Sequence, residues 1–466
     1  MKTWSLAIRN LLRNRRRSLA TLLALAVGSA SILIFGGYTT NVRYSMTTAY
    51  VRSGGHLQVQ YRDFFYYGSG NPAAYGMPQY ELIMEAIRED PVLKGMVTVV
   101  TPMLQFGGIA GNYDAGVSRT VIGTGFVAAD VNRMRLWNEF SLKDRRPYFV
   151  LEGATSDAAI VGLGVARVLL LCGPLKVADC PIPAMALASE PSTALPADIA
   201  ALAQRDSPTD APKPGTGKTR IELLAGNARG APNVASLNVL AAESQGFKEL
   251  DELAVILQLE QAQQLVYGRS APRATAVLVQ LASTAALPEA QTRISSLLTG
   301  MASEKPLTVH SFETLNPFYV QSQQLFDTIF GFIFVLIGGI VLFTVGNTMN
   351  AAVIERTVEI GTLRAIGLRQ AGIRRLFLAE GFLLGCLGAL LGVLVALAVA
   401  LGFNGLDLTW VPPGTSELVP LSLIIWGQTH MIIGTALGLV VIAVGSAWLP
   451  AYRAAGLKIV EALRDA

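Results

Sequence analysis

This chain has little charge. Only 15% of its 466 residues are Asp, Glu, Lys or Arg, against about a quarter in soluble proteins. That excludes a soluble protein along its whole length. Charge is missing altogether between Arg17 and Arg43, between Asp327 and Glu355, between Glu380 and Asp407, and between Glu417 and Arg453. Each gap can supply the ~20 apolar residues that cross a hydrocarbon core of ~30 Å. Histidine and cysteine are also scarce, at three each. His56, His310 and His430 lie far apart and pair with no cysteine or carboxylate at ligand spacing, so no metal site is expected. His56 is expected to start a strand, and His430 to sit near the outer membrane interface. No nucleophile–base constellation stands out, so no catalytic residue and no cofactor are expected. The net charge of +4 does not argue for nucleic acid, because the basic residues gather at membrane edges rather than on one soluble face.

What is present fixes an orientation. Lys2, Arg9, Arg13, Arg15, Arg16 and Arg17 precede the first apolar stretch. Arg356, Arg364, Arg369, Arg374 and Arg375 follow the second, and Arg453, Lys458 and Arg464 follow the fourth. The loop after the third has no Lys or Arg. Positive residues mark the cytoplasmic side, so both termini and the middle loop are read as cytoplasmic. The expected order is a cytoplasmic amphipathic helix (1–17), a first transmembrane helix (18–42), a large outside domain (43–324) and a second helix (325–350). A cytoplasmic charged helix and loop (351–376), a third helix (377–403), a short outside loop (404–420), a fourth helix (421–449) and a cytoplasmic tail (450–466) follow. The first apolar stretch is long and lacks a small-residue cleavage site, which favours an uncleaved anchor over a signal peptide. Ahead of it Trp4, Ile8, Leu11 and Leu12 share one helical face opposite Arg9, Arg13 and Arg16, a pattern suited to the inner interface.

The outside domain alternates between helix and strand patterns. Tyr80–Asp90 and Ala158–Leu171 read as helices, Glu252–Leu259 as a strand, Glu260–Tyr267 as a helix and Thr275–Leu281 as a strand. Pro288–Leu298 reads as a helix stopped at Gly300, and Leu307–His310 as a strand. Such alternation argues for an α/β layer domain. The stretch 181–215, rich in Ala, Ser, Asp and Pro, reads as a surface insert dividing the domain into two lobes. Cys172 and Cys180 lie outside the membrane, where a disulfide closing their short loop suits an oxidising compartment. Two free thiols is the competing reading. Pro214-Gly-Thr-Gly-Lys-Thr219 imitates the end of a phosphate-binding loop. That motif needs a Gly where this chain has Pro212, and a strand before it, so it is rejected.

The densest information lies in Asn350–Gly367. Val353, Ile354, Val358 and Ile360 supply apolar surface to a short helix, and Glu355, Arg356, Glu359 and Arg364 supply charge, with Gly367 placed to end it. An amphipathic linker on the inner membrane surface would explain the arginines. It does not explain two glutamates against a surface that is usually anionic, which a protein partner accommodates better. In the third span Gly381, Gly385, Gly388 and Gly392 recur at steps of three and four, and Gly434 and Gly438 repeat the spacing in the fourth. Such spacing lets helices approach closely.

Glu355-Arg-Thr-Val-Glu359-Ile360-Gly361-Thr-Leu363-Arg364-Ala-Ile-Gly367 resembles the E-R-x-x-E-I-G-x-x-R-A-x-G signature of the FtsX-like and MacB-like permeases, the membrane subunits of type VII ABC transporters. The resemblance continues through Ile373-Arg-Arg-Leu-Phe, Glu380, Pro450-Ala-Tyr-Arg-Ala-Ala455 and Glu461-Ala-Leu-Arg464, with Ile459 where the family commonly has Pro. Ala7-Ile-Arg-Asn-Leu-Leu-Arg-Asn is similar to the family's N-terminal helix. Gly55-His-Leu-Gln-Val is similar to the start of the outside domain in lipoprotein-release permeases. The middle of that domain matches loosely, and the Pro-rich insert departs from the family, which leaves the substrate open.

The resemblance implies an α-helical membrane protein of four transmembrane helices, with a large α/β (α+β) periplasmic domain between helices 1 and 2. It would lie in the bacterial inner membrane. The 351–366 helix would be a coupling helix in a groove of a separate cytoplasmic ATPase, which binds the ATP. Glu355, Arg356, Glu359 and Arg364 would make the contact, within a segment that includes Ile360, Gly361, Leu363 and Gly367. Two ATPases closing on nucleotide would move two permeases together, and the second spans, extended through Pro317–Leu325, would carry the stroke outward. Implied partners are an ABC-type ATPase dimer, a second permease copy or paralogue, membrane lipid, and a periplasmic adaptor or cargo protein. Three functions stay open: release or export of an amphipathic cargo such as a lipoprotein, peptide or lipid-like molecule; mechanical control of a periplasmic partner such as a cell-wall hydrolase, without transport; and drug efflux with an adaptor and outer-membrane duct.

Overall fold

A computed structural model describes residues 2–143, 147–177, 180, 219–227, 231–411 and 418–458. Nearly the whole Pro-rich stretch, the Gly-Thr-Gly-Lys sequence within it and the Glu461–Arg464 motif lie outside the described residues. The chain divides into two compact units, with boundaries inside the first and second long helices: Met1–Ser45, Phe318–Trp410 and Pro420–Ala466 in one, Met46–Pro317 and Val411–Val419 in the other.

In the first unit a short helix, Lys2–Arg13, precedes four helices long and apolar enough to cross a membrane. These are Arg15–Gly54, Pro317–Glu355, Gln370–Asn404 and Thr429–Gly456. The first three outrun the segments expected at 18–42, 325–350 and 377–403. The fourth starts at Thr429, so residues 421–428, read as the opening of that span, are not helical. Small residues set the helix spacing in this bundle. A Cβ at Gly381 would meet the Ala447 Cβ at 2.8 Å, and one at Gly385 the Ala443 Cβ and Val440 Cα at 3.1 Å. One turn and two turns further on, Gly388 abuts Leu25 and Gly392 abuts Ser29. The third span thus uses its first two glycines against the fourth span and its last two against the first. Gly438 admits the Phe334 ring. Gly434, expected to pack in the same way, has no neighbour within 4 Å of a Cβ built on it. The turn from 434 to 438 drifts off the packed stripe. Large apolar side chains on the second span, including Phe332, Val335 and Phe343, point outward, as a bilayer solvent requires.

The second unit follows the opposite rule, with its apolar residues inside. Nine strands form one sheet: β1 (Leu57–Tyr61), β2 (Val97–Asn112), β3 (Val117–Phe126), β4 (Ala158–Gly162), β5 (Arg220–Gly226), β6 (Pro232–Glu243), β7 (Ala254–Gln258), β8 (Ala276–Leu281) and β9 (Leu307–Ser311), in the order β3-β7-β4-β6-β5-β2-β8-β1-β9. The 16-residue β2 serves twice. Its first part, Val97–Met103, pairs with β8, which leads to β1 and β9. Its second part pairs with β3 along Met103–Asn112 and with β5 along Gly108–Gly111. Because β3 also pairs with β7, the strands β2-β3-β7-β4-β6-β5 close into a ring. Closure gives each of these strands a partner on both sides over part of its length, which shortens the open edge. The ring encloses Leu104, Phe106, Val161, Leu223, Leu237 and Leu257, all buried. Alternation is cleanest in β5, where Ile221, Leu223 and Ala225 face in and the residues between them face out, the period of two a one-sided strand requires. Gly123 carries no side chain because the Phe106 ring occupies that place.

Two expectations for this unit fail. Ala158–Leu171 is not one helix. Ala158–Gly162 is β4, and only Leu163–Val168 is helical. β4 is buried on both faces between β6 and β7, and a short continuous apolar run cannot be assigned by periodicity alone. Nor does the Pro-rich stretch divide the domain into lobes, since β5 and β6 after it complete the ring begun by β2 and β3 before it. The other elements fall near their expected places. Helices span Tyr80–Glu89, Leu259–Tyr267 and Leu287–Thr299, the last followed by Gly300. Cys172 and Cys180 are joined in a disulfide, with Cα atoms 6.2 Å apart.

His56 stands one residue ahead of β1 and is completely buried. Its Nδ1 accepts the Leu281 N–H at 3.0 Å, which leaves Nε2 to donate to Thr284 Oγ1 at 3.3 Å. Burial holds its pKa down at about 4, although the Glu139 carboxylate works in the other direction. His310 is lowered for the same reason, desolvation.

Candidate partner-docking site

The expected single helix at 351–366 is in fact two elements. The second span helix continues to Glu355. Arg356 then leaves helical geometry at φ −108° and ψ 18°, and a separate helix runs Thr357–Ala365. It ends in a motif built for a sharp stop. The Leu368 N–H bonds the Leu363 carbonyl and the Gly367 N–H the Arg364 carbonyl, each at 3.0 Å. Gly367 sits at φ +103°, which costs glycine little and other residues more.

The charges of this segment split into two sets. Arg356 is buried and meets the buried Glu380 of the third span, with Nη1 3.0 Å from Oε1 and 3.4 Å from Oε2. Asn10, on the N-terminal helix, closes the group: its Nδ2 donates to Glu380 Oε1 at 2.6 Å and its backbone carbonyl accepts from Arg356 Nη2 at 3.2 Å. A buried charge must be paired and hydrogen-bonded. Here one pair ties three elements together at the point where the second span helix breaks. By contrast, Glu355 binds Arg17 through two parallel contacts and Glu359 binds Arg13, with both glutamates about half exposed. Thr21 donates to Thr348 at 3.0 Å just inside the membrane stretch. Arg364 is half-buried and donates to the Leu457 carbonyl.

Ile360 and Gly361 turn inward, Ile360 against a cluster that includes Val353, Ile373 and Phe377, with Leu363 packed at its margin. So of the residues expected to touch a partner, Glu355 and Glu359 are on the surface, Arg364 is partly so, and Arg356, Ile360 and Gly361 are not. The outward face consists of Ile354, Val358, Thr362, Ile366 and Leu368, with Ile366 80% exposed. Sequence reasoning missed the roles of Asn10 and Glu380 and the exposure of Ile366. Glu380 did carry a signal: it is the last charge before a 26-residue charge-free run, and a carboxylate at the head of a membrane helix needs a named partner.

These features define a polytopic membrane protein. It has four span helices, a strand-rich domain between the first two, and a short braced helix between the second and third. Residues 295–459, about a third of the chain, match the FtsX-like permease C-terminal family model. It is similar to the macrolide export ATP-binding/permease protein MacB of Nitrobacter winogradskyi, at 28% identity over 228 residues, 47% of this chain and 32% of that one. It is similar also to the ABC transporter permease YtrF of Bacillus subtilis, at 42% over 72 residues, 15% and 16% of the two chains. MacB of Escherichia coli O157:H7 matches at 33% over 140 residues, 30% and 19%. The chain thus spans a third or less of the length of these relatives. Among solved structures, the extracellular domain of YknZ from Gram-positive bacteria aligns at TM-score 0.28 and 13% identity, covering 55% of this chain and 100% of that one. The periplasmic region of MacB from Actinobacillus actinomycetemcomitans aligns at TM-score 0.28 and 10% identity, covering 57% and 94%.

Proposed function

We propose that the chain is the permease subunit of an inner-membrane ABC transporter, driven by a separate ATPase that holds the nucleotide. The observation that carries this reading is the helix Thr357–Ala365, which stands between two span helices and turns Val358, Thr362 and Ile366 outward while its own charges are braced from behind. A helix that only linked two spans would not need the buried Arg356–Glu380 anchor. The contact surface is Ile354, Val358 and Ile366, rimmed by Glu355, Glu359 and Arg364. Arg356 acts as a positioning residue, since it fixes the angle at which the helix leaves the second span. Nucleotide-driven movement of the ATPase would pull on this helix, and the Arg356–Glu380–Asn10 group would pass the pull to the third span and the N-terminal helix. A second permease copy or paralogue completes the assembly in this reading. The work is done on an amphipathic cargo outside the membrane, such as a lipoprotein, peptide or lipid-like molecule.

Two other readings share the same docking helix and differ in what happens outside: mechanical control of a cell-wall hydrolase, and drug efflux through an adaptor and duct. The test is the charge reversal Glu359→Arg, followed by pull-down from native membranes and ATP hydrolysis by the retained material. Loss of a nucleotide-hydrolysing partner, with the variant still inserted, is the expected result. Unchanged complex formation and activity would sink the docking assignment. Cargo-stimulated hydrolysis would separate export from mechanical control.

A further inference from the structure

The same two helices are joined by ion pairs at both ends of the membrane stretch. Arg17 meets Glu355 at one end. At the other, Arg43 Nη2 lies 2.7 Å from Asp327 Oδ1, and Arg43 Nε donates to Gln323 at 2.8 Å. Arg17 and Arg43 are 26 residues apart, and Asp327 and Glu355 are 28 apart. At ~1.5 Å per helical residue both intervals come to roughly 40 Å, the thickness of a bilayer with its headgroup regions. The Arg43–Asp327 pair therefore sits at headgroup level.

Immediately beside it is a cavity of about 390 Å³ between the first, second and fourth span helices. Its upper wall carries Arg43, Asp327 and His430. Its lower wall carries Phe330, Phe334 and Met431. Phe334 lies seven residues below Asp327 and Gly36 seven below Arg43, so the wall changes from charged to apolar over roughly 10 Å. Gly434 lines the cavity, which explains why its missing side chain faces open space instead of a neighbouring helix.

We propose that this cavity seats the headgroup and the upper part of one acyl chain of a zwitterionic glycerophospholipid, whose remaining length lies in the bilayer. The charges at its mouth are matched in number and opposite in sign, and both are substantially exposed, at 47% for Arg43 and 67% for Asp327. A phosphoethanolamine headgroup presents the complement: its phosphate accepts from the Arg43 guanidinium and its ammonium donates to the Asp327 carboxylate. The upper part of one acyl chain then lies along Phe330, Phe334 and Met431. A purely anionic headgroup would satisfy Arg43 and set its charge against Asp327. The proposal stands whether or not a nucleotide-driven partner exists.

The test is native mass spectrometry of the full chain released from nanodiscs made of equal parts phosphatidylethanolamine and phosphatidylglycerol. The expected result is retained phosphatidylethanolamine in several-fold excess over phosphatidylglycerol. Gly434→Leu, which adds a side chain to the cavity at a position where a Cβ meets nothing within 4 Å, abolishes that retention. Asp327→Asn keeps a lipid bound but loses the headgroup preference. Equal retention of both lipids by the unaltered chain, or unchanged retention in Gly434→Leu, would overturn the proposal. Should Gly434→Leu fail to fold, Asp327→Asn decides alone: a lost preference supports the site and an unaltered one refutes it.

Discussion

Glu355 and Arg356 are neighbours in sequence and opposites in environment. Glu355 is about half exposed and bonds Arg17 across an open surface, while Arg356 is buried against Glu380 and Asn10. One residue of separation at the end of a helix turns a side chain by about 100°, enough to move it from water to the interior. A motif that reads as a uniform run of charge therefore contains two kinds of residue. Some hold the Thr357–Ala365 helix in place from within, and others lie on its surface.

The largest expected effect tests the buried half of this comparison. Arg356→Ala or Glu380→Ala leaves one charge unpaired in the interior, which should cost about 3–5 kcal/mol. A thermal unfolding scan of the purified chain would show it. The joint replacement Arg356→Leu with Glu380→Met should recover most of the loss, because an apolar pair of similar volume is often neutral or better. If both single variants keep the parental midpoint, the pair is not an anchor.

A second buried polar group, in the strand-rich unit, extends the comparison to pH. His56 is neutral in the fold with a pKa of about 4, against 6.5 in the unfolded chain. The unfolded state therefore binds the extra proton first. The stability contribution is full above pH 6.5 and is lost as pH falls towards 4, by roughly 3 kcal/mol in all. His56→Gln should flatten that acid limb of the thermal midpoint. An identical acid limb in the variant would remove His56 from the account.

The exposed half predicts the reverse pattern, small effects on stability and specific effects on association. Ile366→Asp places a charge on the outward face and should weaken partner capture by about 2 kcal/mol or more, the scale of an interface hot spot, while leaving the unfolding midpoint in place. Arg13→Ala, which removes only the exposed partner of Glu359, should change stability by about 0–1 kcal/mol. A loss near that of Arg356→Ala would erase the distinction between the two sets.

Much of the architecture was legible because absence of charge is a strong signal. The four charge-free runs marked the four long helices, and the run of alternating patterns from Glu252 to His310 marked β7, β8, β9 and the helices between them. What was not legible depended on contacts distant in sequence. β4 looked helical because its neighbours β6 and β7, which bury both of its faces, lie about 75 to 100 residues away. The single ring was hidden because the Pro-rich stretch interrupts it between β4 and β5. Arg356 looked available to a partner because Asn10, which helps to bury it, is 346 residues distant. Gly434 looked like packing because spacing reports which residues share a face, not what that face meets.

The most direct test of the central claim is site-specific photocrosslinking from Val358 and Ile366 in native membranes, with the adducts identified by mass spectrometry. The docking account predicts a protein adduct with a nucleotide-hydrolysing subunit at both positions. Adducts confined to lipid at both would mean that this helix lies on the membrane surface and drives nothing.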